Sequence, residues 1–327
     1  MTEVEVRSEI WPIAGSFTIA RGSKTEAQVV VVELKRDGVR GRGECVPYPR
    51  YNESIDGVIE AVRSLQPQIE AGLDRADLQE LLPAGAARNA VDCAMWDLAA
   101  RESGLPVWQQ AGLPEPLSAL TTAYTLSLGT PEMMGRAARD HCQRQILKIK
   151  LTGEGDGERV AAIGENAPEA MIIADANESW SPDQFEPLAE ELSNLGVTLI
   201  EQPLKAEEDG MLAHVDHPLL VCADESCHTT KELTDLSAKY DAINIKLDKT
   251  GGLTEAIALK ECAQALGLRV MIGCMVSTSL SIAPAALLAA DADFVDLDGP
   301  LLLREDRPDG LRFDGSRFEP ASPALWG

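Results

Sequence analysis

Positive charge is scarce in this sequence. Its 327 residues carry 29 lysines and arginines against 53 aspartates and glutamates, a formal net charge of −24. Such a surface repels phosphate backbones and anionic lipid headgroups, which argues against nucleic acid and membrane surfaces as partners. Long apolar runs are also missing. The richest, residues 282–290, is nine residues long and contains Pro284, well short of the roughly 18–20 needed to span a bilayer. The stretch MTEVEVRSEI alternates acids with apolar residues and lacks the basic region of a secretory signal. The seven cysteines (Cys45, Cys93, Cys142, Cys222, Cys227, Cys262 and Cys274) are odd in number and show no C-x-x-C spacing. A disulfide framework and a zinc site are therefore not expected, and the thiols read as reduced, in a cytoplasmic protein. The four histidines (His141, His214, His217 and His228) show no metal-ligand spacing and receive no catalytic role.

What is present is ordinary globular composition, 45% hydrophobic and 25% charged, in a chain long enough for about two domains. The first hundred residues read as an α+β module. Ala27–Arg36 and Val39–Cys45 are strands joined by the hairpin dipeptide Asp37-Gly38. Helical stretches follow from about Ser54 to Leu73 and from Gly85 to Arg101. After Pro116 the pattern changes to short apolar runs ending in polar residues, each followed by a helical segment. There are eight such runs: 120–126, 146–150, 171–175, 197–201, 219–224, 242–246, 270–273 and 294–298. One marker from each of the last seven (Lys150, Asp175, Glu201, Asp224, Lys246, Gly273, Asp296) gives steps of 25, 26, 23, 22, 27 and 23 residues. Strand, helix and two loops need about that length. The period also suits an open doubly wound sheet, and the count of eight favours a (β/α)8-type, modified TIM barrel. The expected division is an N-terminal capping domain over 1–112, completed by a C-terminal segment 311–327 with a hairpin at Asp314-Gly315, and a barrel domain over 113–310.

Parallel barrels carry their chemistry at the C-terminal ends of the strands. Three successive strands here end in Asp175, Glu201 and Asp224. Taken singly, each acid reads as a helix cap. Three converging carboxylates repel, and a hard divalent cation such as Mg²⁺ relieves that repulsion. Lys148 and Lys150 are two apart on one strand and so share a face. Each cation disfavours protonation of the other, a route toward the lower pKa a general base needs. Lys246 lies four strands further round, across the barrel mouth. Two lysines facing each other over a metal can take a proton from one face of a carbon and return one to the other. Asp296 and Asp298, again two apart, form a paired carboxylate site for a cation, or else a helix cap. Gly153, Gly155 and Gly157 alternate with acids and read as a flexible connection, not a phosphate loop. Thr250-Gly251-Gly252 reads either as an anion site or as tight packing, and Cys274 and Met275 as pocket lining or core.

These residues carry a resemblance. KIK at 148–150, DANESW at 175–180, EQP at 201–203, ADES at 223–226 and NIKLDKTGGL at 244–253 resemble the motifs of the enolase superfamily, in its muconate-lactonising group. GECVPYPRY at 43–51 and ARNAVDCAMWDLAAR at 87–101 extend the resemblance over essentially the whole chain. DLDGP at 296–300 is most similar to dipeptide epimerases, among them those acting on L-Ala-D/L-Glu. The resemblance implies one Mg²⁺ per active site on Asp175, Glu201 and Asp224, chelating the carboxylate of a dipeptide's C-terminal residue. It implies Lys150 and Lys246 as the proton-transferring pair and Lys148 as a stabiliser of the enediolate. Asp296 and Asp298 would bind the α-ammonium group, with Thr125 against the substrate and Asn177 and Glu225 behind the metal ligands and a lysine. IARGSK at 19–24 resembles the family's mobile capping loop, in which an arginine pairs with the substrate's glutamate side chain. Lys24 stands at that position, keeping the charge and losing the bidentate fork. Tyr48 and Tyr51 would shape the capping side. The implied partners are a dipeptide substrate and further copies of the chain in a homo-oligomer, and the implied role is in murein peptide metabolism. On the same scaffold, N-acylamino acid racemisation, o-succinylbenzoate synthesis and muconate cycloisomerisation are the alternatives, and their substrates lack a free α-ammonium.

Overall fold

Strand alternation organises both ends of the molecule. In the computed structural model, which describes residues 2–116 and 118–327, β1 (Glu3–Ile19), β2 (Gly22–Arg36) and β3 (Val39–Cys45) form an antiparallel sheet in that order. The β2–β3 turn places Asp37 at φ 50° and Gly38 at φ 82°, the positive-φ pair that a two-residue hairpin requires. The apolar run of β2 is continuous because both of its faces are buried. Val30, Val32 and Leu34 join one core with the helix Ala86–Ser103, and Val29 and Val31 join the larger core shared with the barrel. β1 has no counterpart in the sequence reading, since Pro12 and Gly15 interrupt its pattern and its register shifts between Pro12 and Phe17. The helix expected over 54–73 is two, Ile55–Ser64 and Gln66–Glu70. Pro67 sits in the first turn of the second, where its missing N–H costs least.

Eight parallel strands then form the barrel: β5 (Tyr124–Leu126), β6 (Ile146–Lys150), β7 (Met171–Asp175), β8 (Val197–Glu201), β9 (Leu220–Ala223), β10 (Ala242–Ile245), β11 (Arg269–Gly273) and β12 (Phe294–Asp296), paired in sequence order. The seam between β12 and β5 is closed by the Ala123 N–H to Val295 O bond (2.8 Å) and by Asp298, whose Oδ2 accepts the Thr125 N–H at 2.6 Å. The strands follow the expected period; the helices do so only in part. After β8 there is a 3₁₀ segment, Asp209–His214, and after β9 a single helical turn, Leu233–Leu236. The first expected run, 120–126, also splits. β4 (Leu120–Thr121) leaves the barrel to pair with the C-terminal hairpin of β13 (Phe313–Asp314) and β14 (Arg317–Phe318). That hairpin packs on the foot of the barrel through β4, and the last residues meet the capping module, where Trp326 Nε1 donates to Cys93 O at 3.1 Å.

Period-2 alternation sorts the barrel side chains. Ile173, Leu199, Cys222, Ala242, Met271 and Phe294 point inward and form a separate apolar plug. Leu147, Ile149, Ile172, Ile200, Val221, Ile243, Val270 and Ile272 point outward into the core under the helices. One step beyond the plug, the inward positions become charged. The capping module closes over that end. Asp248 accepts from the Val46 N–H (2.9 Å) and from Asn89 Nδ2 (2.8 Å), and Arg88 donates to the Gly251 and Thr250 carbonyls. At Gly252, with φ 115°, a Cβ would lie 2.5 Å from the Asp92 side chain. Thr250-Gly251-Gly252 is therefore a packing element under the cap. All seven cysteines are free. Among the described residues, no helix is long and apolar enough to cross a membrane.

Candidate active site

The register of the barrel brings the candidate residues together. Lys150 pairs with Asp175, and Asp175 with Glu201, across β6, β7 and β8. Glu201 is level with Cys222, so Asp224, two residues on, returns to the same inward face. All three carboxylates are buried, as are Lys148, Lys150, Lys246, Asp296 and Asp298. Lys148 occupies the centre, 2.6 Å from both Glu201 Oε2 and Asp296 Oδ2 and 3.5 Å from Asp175 Oδ2. Lys150 reaches Asp175 Oδ2 at 2.6 Å, and Lys246 reaches Asp224 Oδ2 at 2.7 Å. The two flanking lysines are thus held by different aspartates on different strands.

Above this layer lies a cavity of about 990 Å³. Lys24, Thr125, Lys148, Lys150, Asn177, Asp224, Glu225, Lys246, Asp296 and Asp298 line it, together with Tyr48, Tyr51, Cys274 and Met275. Asp175 and Glu201 lie beneath it. Lys24 is exposed at the mouth, its ammonium 5.3 Å from the Tyr48 ring centre. Asn177 Nδ2 meets Glu225 Oε1 at 3.5 Å, and the Asn177 N–H donates to Asp175 Oδ1 at 2.9 Å.

Charge is unevenly shared. Burial works to lower Lys148 and Lys246, but the surrounding carboxylates outweigh it and raise both above the usual lysine range. For Lys148, the lowering expected from its neighbour on the strand is overridden by the acids, which outnumber the bases. Burial also pushes Glu201 up, reinforced by the Asp175 charge, and pushes Glu225 up, reinforced by Asp224. Asp175 and Asp224 are held low by the ammoniums against the opposing effect of burial.

A divalent cation fits this donor set. The carboxylates are turned onto the lysines, so that among the described residues no three acid, histidine or cysteine groups converge on one point. Nevertheless, buried oxygens without a hydrogen-bond donor gather here: Asn177 Oδ1, Glu225 Oε2, Asn244 Oδ1 and Asp296 Oδ1. Glu201 Oε2 and Asp224 Oδ1 also lack an aligned donor, although the ammoniums of Lys148 and Lys249 lie 2.6 Å away. Buried carboxylates repelling one another and short of donors are the environment a hard, oxygen-seeking cation stabilises.

Two residues of the site carry no role in the sequence reading. Arg21, at the tip of the β1–β2 turn, donates to Glu225 Oε1 (2.7 Å), Asn177 O (2.8 Å), Tyr48 Oη (3.1 Å) and Glu178 Oε2 (3.2 Å). Lys249 lies behind Asp224. Both sit inside motifs that carry the resemblance, IARGSK and NIKLDKTGGL, but no period or spacing marks them. The glycine-rich stretch after β6 is held in place: Asp156, fully buried, accepts from the Thr152 and Gly153 N–H groups and from Trp180 Nε1. A carboxylate occupies the donors that a phosphate would use, which corrects the expectation of a flexible connection.

The mandelate racemase / muconate lactonizing enzyme N-terminal domain family matches residues 1–112, and the enolase C-terminal domain-like family matches 132–318. An L-Ala-D/L-Glu epimerase of Escherichia coli K12 is 48% identical over 96% of this chain and 98% of its own. The chain belongs to the dipeptide epimerases of the enolase superfamily. This epimerase is also similar to an N-acetyl-D-glutamate racemase of Pseudoalteromonas, 42% identical over 91% of this chain and 95% of the relative. Among solved structures, an enolase family member from Agrobacterium tumefaciens with homology to dipeptide epimerases superposes with a TM-score of 0.97, at 49% identity and full coverage of both chains. It contains sodium and L-Ala-L-Glu with an ordered loop. A dipeptide epimerase from Enterococcus faecalis complexed with Mg and L-Leu-L-Tyr superposes with a TM-score of 0.90, at 29% identity, covering 99% of this chain and 98% of that one.

Proposed function

We propose that this enzyme epimerises dipeptides at the α-carbon of the C-terminal residue, with L-Ala-D/L-Glu as the preferred pair, using Lys150 and Lys246 and one Mg²⁺ on Asp175, Glu201 and Asp224. The observation that carries the reading is the placement of two lysines on opposite flanks of one buried carboxylate cluster, four strands apart. The cation, when bound, supplies charge stabilisation to the substrate carboxylate as the α-proton leaves. Everything else falls to the chain's own groups. The lysine facing the α-hydrogen accepts it on an Nζ that is neutral once its carboxylate partner is drawn away by a ligand, and the other, starting as an ammonium, donates a proton to the opposite face. Each turnover exchanges their protonation states, and exchange with water resets them. Lys148, central and charged, donates toward the oxygens on which negative charge develops. Asp296 Oδ1, buried without a partner, and Asp298 receive the α-ammonium of the first residue. Lys24 at the mouth attracts an acidic side chain.

Likeness to the Escherichia coli epimerase and to the Agrobacterium structure with bound L-Ala-L-Glu supports Ala-Glu as substrate. The Pseudoalteromonas relative favours a second reading, racemisation of N-acylated glutamate. An acylated nitrogen brings no positive charge to Asp296 and Asp298, which weighs against it. Proton NMR of L-Ala-L-Glu in D₂O with enzyme and Mg²⁺ tests the proposal. Loss of the Glu α-hydrogen signal with appearance of L-Ala-D-Glu is expected. Exchange with N-acetylglutamate and none with the dipeptide would replace it by the second reading.

A further inference from the structure

Lys249 stands outside every role assigned above. It lies in the single helical turn Leu247–Thr250 after β10 and is completely buried. Its ammonium donates to the backbone carbonyls of Asp224 and Asn244, the latter at 2.9 Å, and lies 2.6 Å from Asp224 Oδ1. Lys246 meets the other oxygen of the same carboxylate, Oδ2. The two lysines are anchored differently. Lys246 lines the cavity and, among the described residues, has carboxylate partners alone, Asp224 and, at 3.7 Å, Glu201. Lys249 does not line the cavity and is tied to two carbonyls, so its withdrawal would break both bonds in a site closed to water. One oxygen of Asp224 is therefore within reach of an arriving ligand, and the other is held from behind by Lys249. Asn244 extends the arrangement. Its Nδ2 donates to Glu201 Oε1 at 2.9 Å, across a gap that exists because residue 273 is glycine; a Cβ there would lie 2.4 Å from Asn244 Oδ1.

We propose that Lys249 is a positioning residue that reserves Oδ1 of Asp224, so that this carboxylate offers a divalent cation one oxygen and not two, and that Lys249 thereby sets a preference for Mg²⁺ over Ca²⁺. This rests on the reading of Asp175, Glu201 and Asp224 as cation ligands. Mg²⁺ takes six ligands in compact octahedral geometry, whereas Ca²⁺ accepts six to eight oxygens and commonly takes both oxygens of a carboxylate. An ammonium fixed on one oxygen removes the two-oxygen mode and leaves the one-oxygen mode intact. Its charge opposes both cations alike, so the ratio of their affinities, not either affinity alone, reports the positioning.

The test is isothermal titration of Mg²⁺ and of Ca²⁺ into wild type and Lys249→Met, without substrate, with circular dichroism to verify folding. The expected result is a shift of the affinity ratio toward Ca²⁺ by roughly tenfold or more in the variant. Equal changes for the two cations would overturn the proposal, since a role in charge balance or folding alone moves both together. If Lys249→Met does not fold, a crystal structure of wild type grown with Mg²⁺ decides. Lys249 on Oδ1 with Asp224 donating one oxygen to the cation supports the inference; a two-oxygen Asp224 or a displaced Lys249 refutes it. Wild type that binds neither cation would refute the cation reading itself, an outcome separate from an unchanged ratio.

Discussion

Two sets of buried acids, a few residues apart in the fold, are treated in opposite ways. At the seam between cap and barrel, Glu44 accepts from the Thr278 N–H (2.8 Å), from Thr278 Oγ1 (2.5 Å) and from Arg307 Nη2 (2.6 Å). Asp92 takes the Thr254 N–H and hydroxyl, and Asp248 takes Val46 and Asn89. Each of these seam carboxylates meets donors across the interface and acts as a tie. At the barrel mouth, carboxylates crowd against one another, and several buried oxygens have no donor. A satisfied polar network fixes one arrangement; an under-satisfied one is held ready for a ligand, at a cost in stability that the rest of the fold supports.

On this contrast, substitutions at the mouth cost chiefly activity, and substitutions at the seam cost chiefly stability. The largest effect belongs to Lys246→Met. Epimerisation should fall by about 10³-fold, the scale of losing a general acid–base group, with a fall in the midpoint of thermal unfolding smaller than a seam variant's, because Lys249 still pairs with Asp224. A fall in that midpoint as large as a seam variant's would break the contrast. Next, the Asp296→Asn, Asp298→Asn double variant should lose about 10²-fold in kcat/KM for dipeptides, as expected when a buried ionic contact to the ligand is cut. Mg²⁺ titration should remain as in wild type. Dipeptide turnover that survives would remove these residues from ammonium recognition. At the seam, Glu44→Gln takes from Arg307 its buried anion and leaves it only the partly exposed Glu9, 2.7 Å from Nη2, and urea unfolding should show a loss of about 3 kcal/mol, with the rate per folded molecule retained.

The last effect is a pH slope, with no loss of activity. Burial pushes Asp248 up to about 7, against the bonds from Val46 and Asn89 that favour its anion. The folded state therefore holds a proton that the unfolded chain, titrating near 3.9, has released. Its contribution to stability is full below pH about 4 and is lost as pH rises through about 7. Asp248→Asn should flatten the decline of unfolding free energy over that interval. An identical slope in the variant would assign the decline to other groups.

Much of the site was legible because its residues end regularly spaced strands. Asp175, Glu201, Asp224 and Asp296 could be placed at one rim from spacing alone, and period 2 put Lys148 with Lys150 and Asp296 with Asp298. The outward half of each strand is apolar for the same reason, and the barrel followed. Other features gave no such signal. β1 escaped because Pro12 and Gly15 break its alternation, and β4 escaped because its partner, β14, lies almost two hundred residues away. Arg21 occupies a turn, where no period operates. Lys249 has a neighbour three residues back, Lys246, in a different role, and nothing local distinguishes the lysine that lines a cavity from the one sealed behind a carboxylate.

By itself, the sequence determined the order and period of the strands, the face on which each charged residue emerges, and hence the assembly of acids and lysines at one rim. These follow from backbone geometry, which repeats at every strand. The tertiary structure alone decided which ammonium meets which carboxylate oxygen, that Arg21 ties the β1–β2 turn to Glu225, and that Lys249 grips the back of Asp224. Those choices depend on distances between segments remote in the chain and on the exclusion of water, under which a pairing of charges becomes strong enough to fix one arrangement.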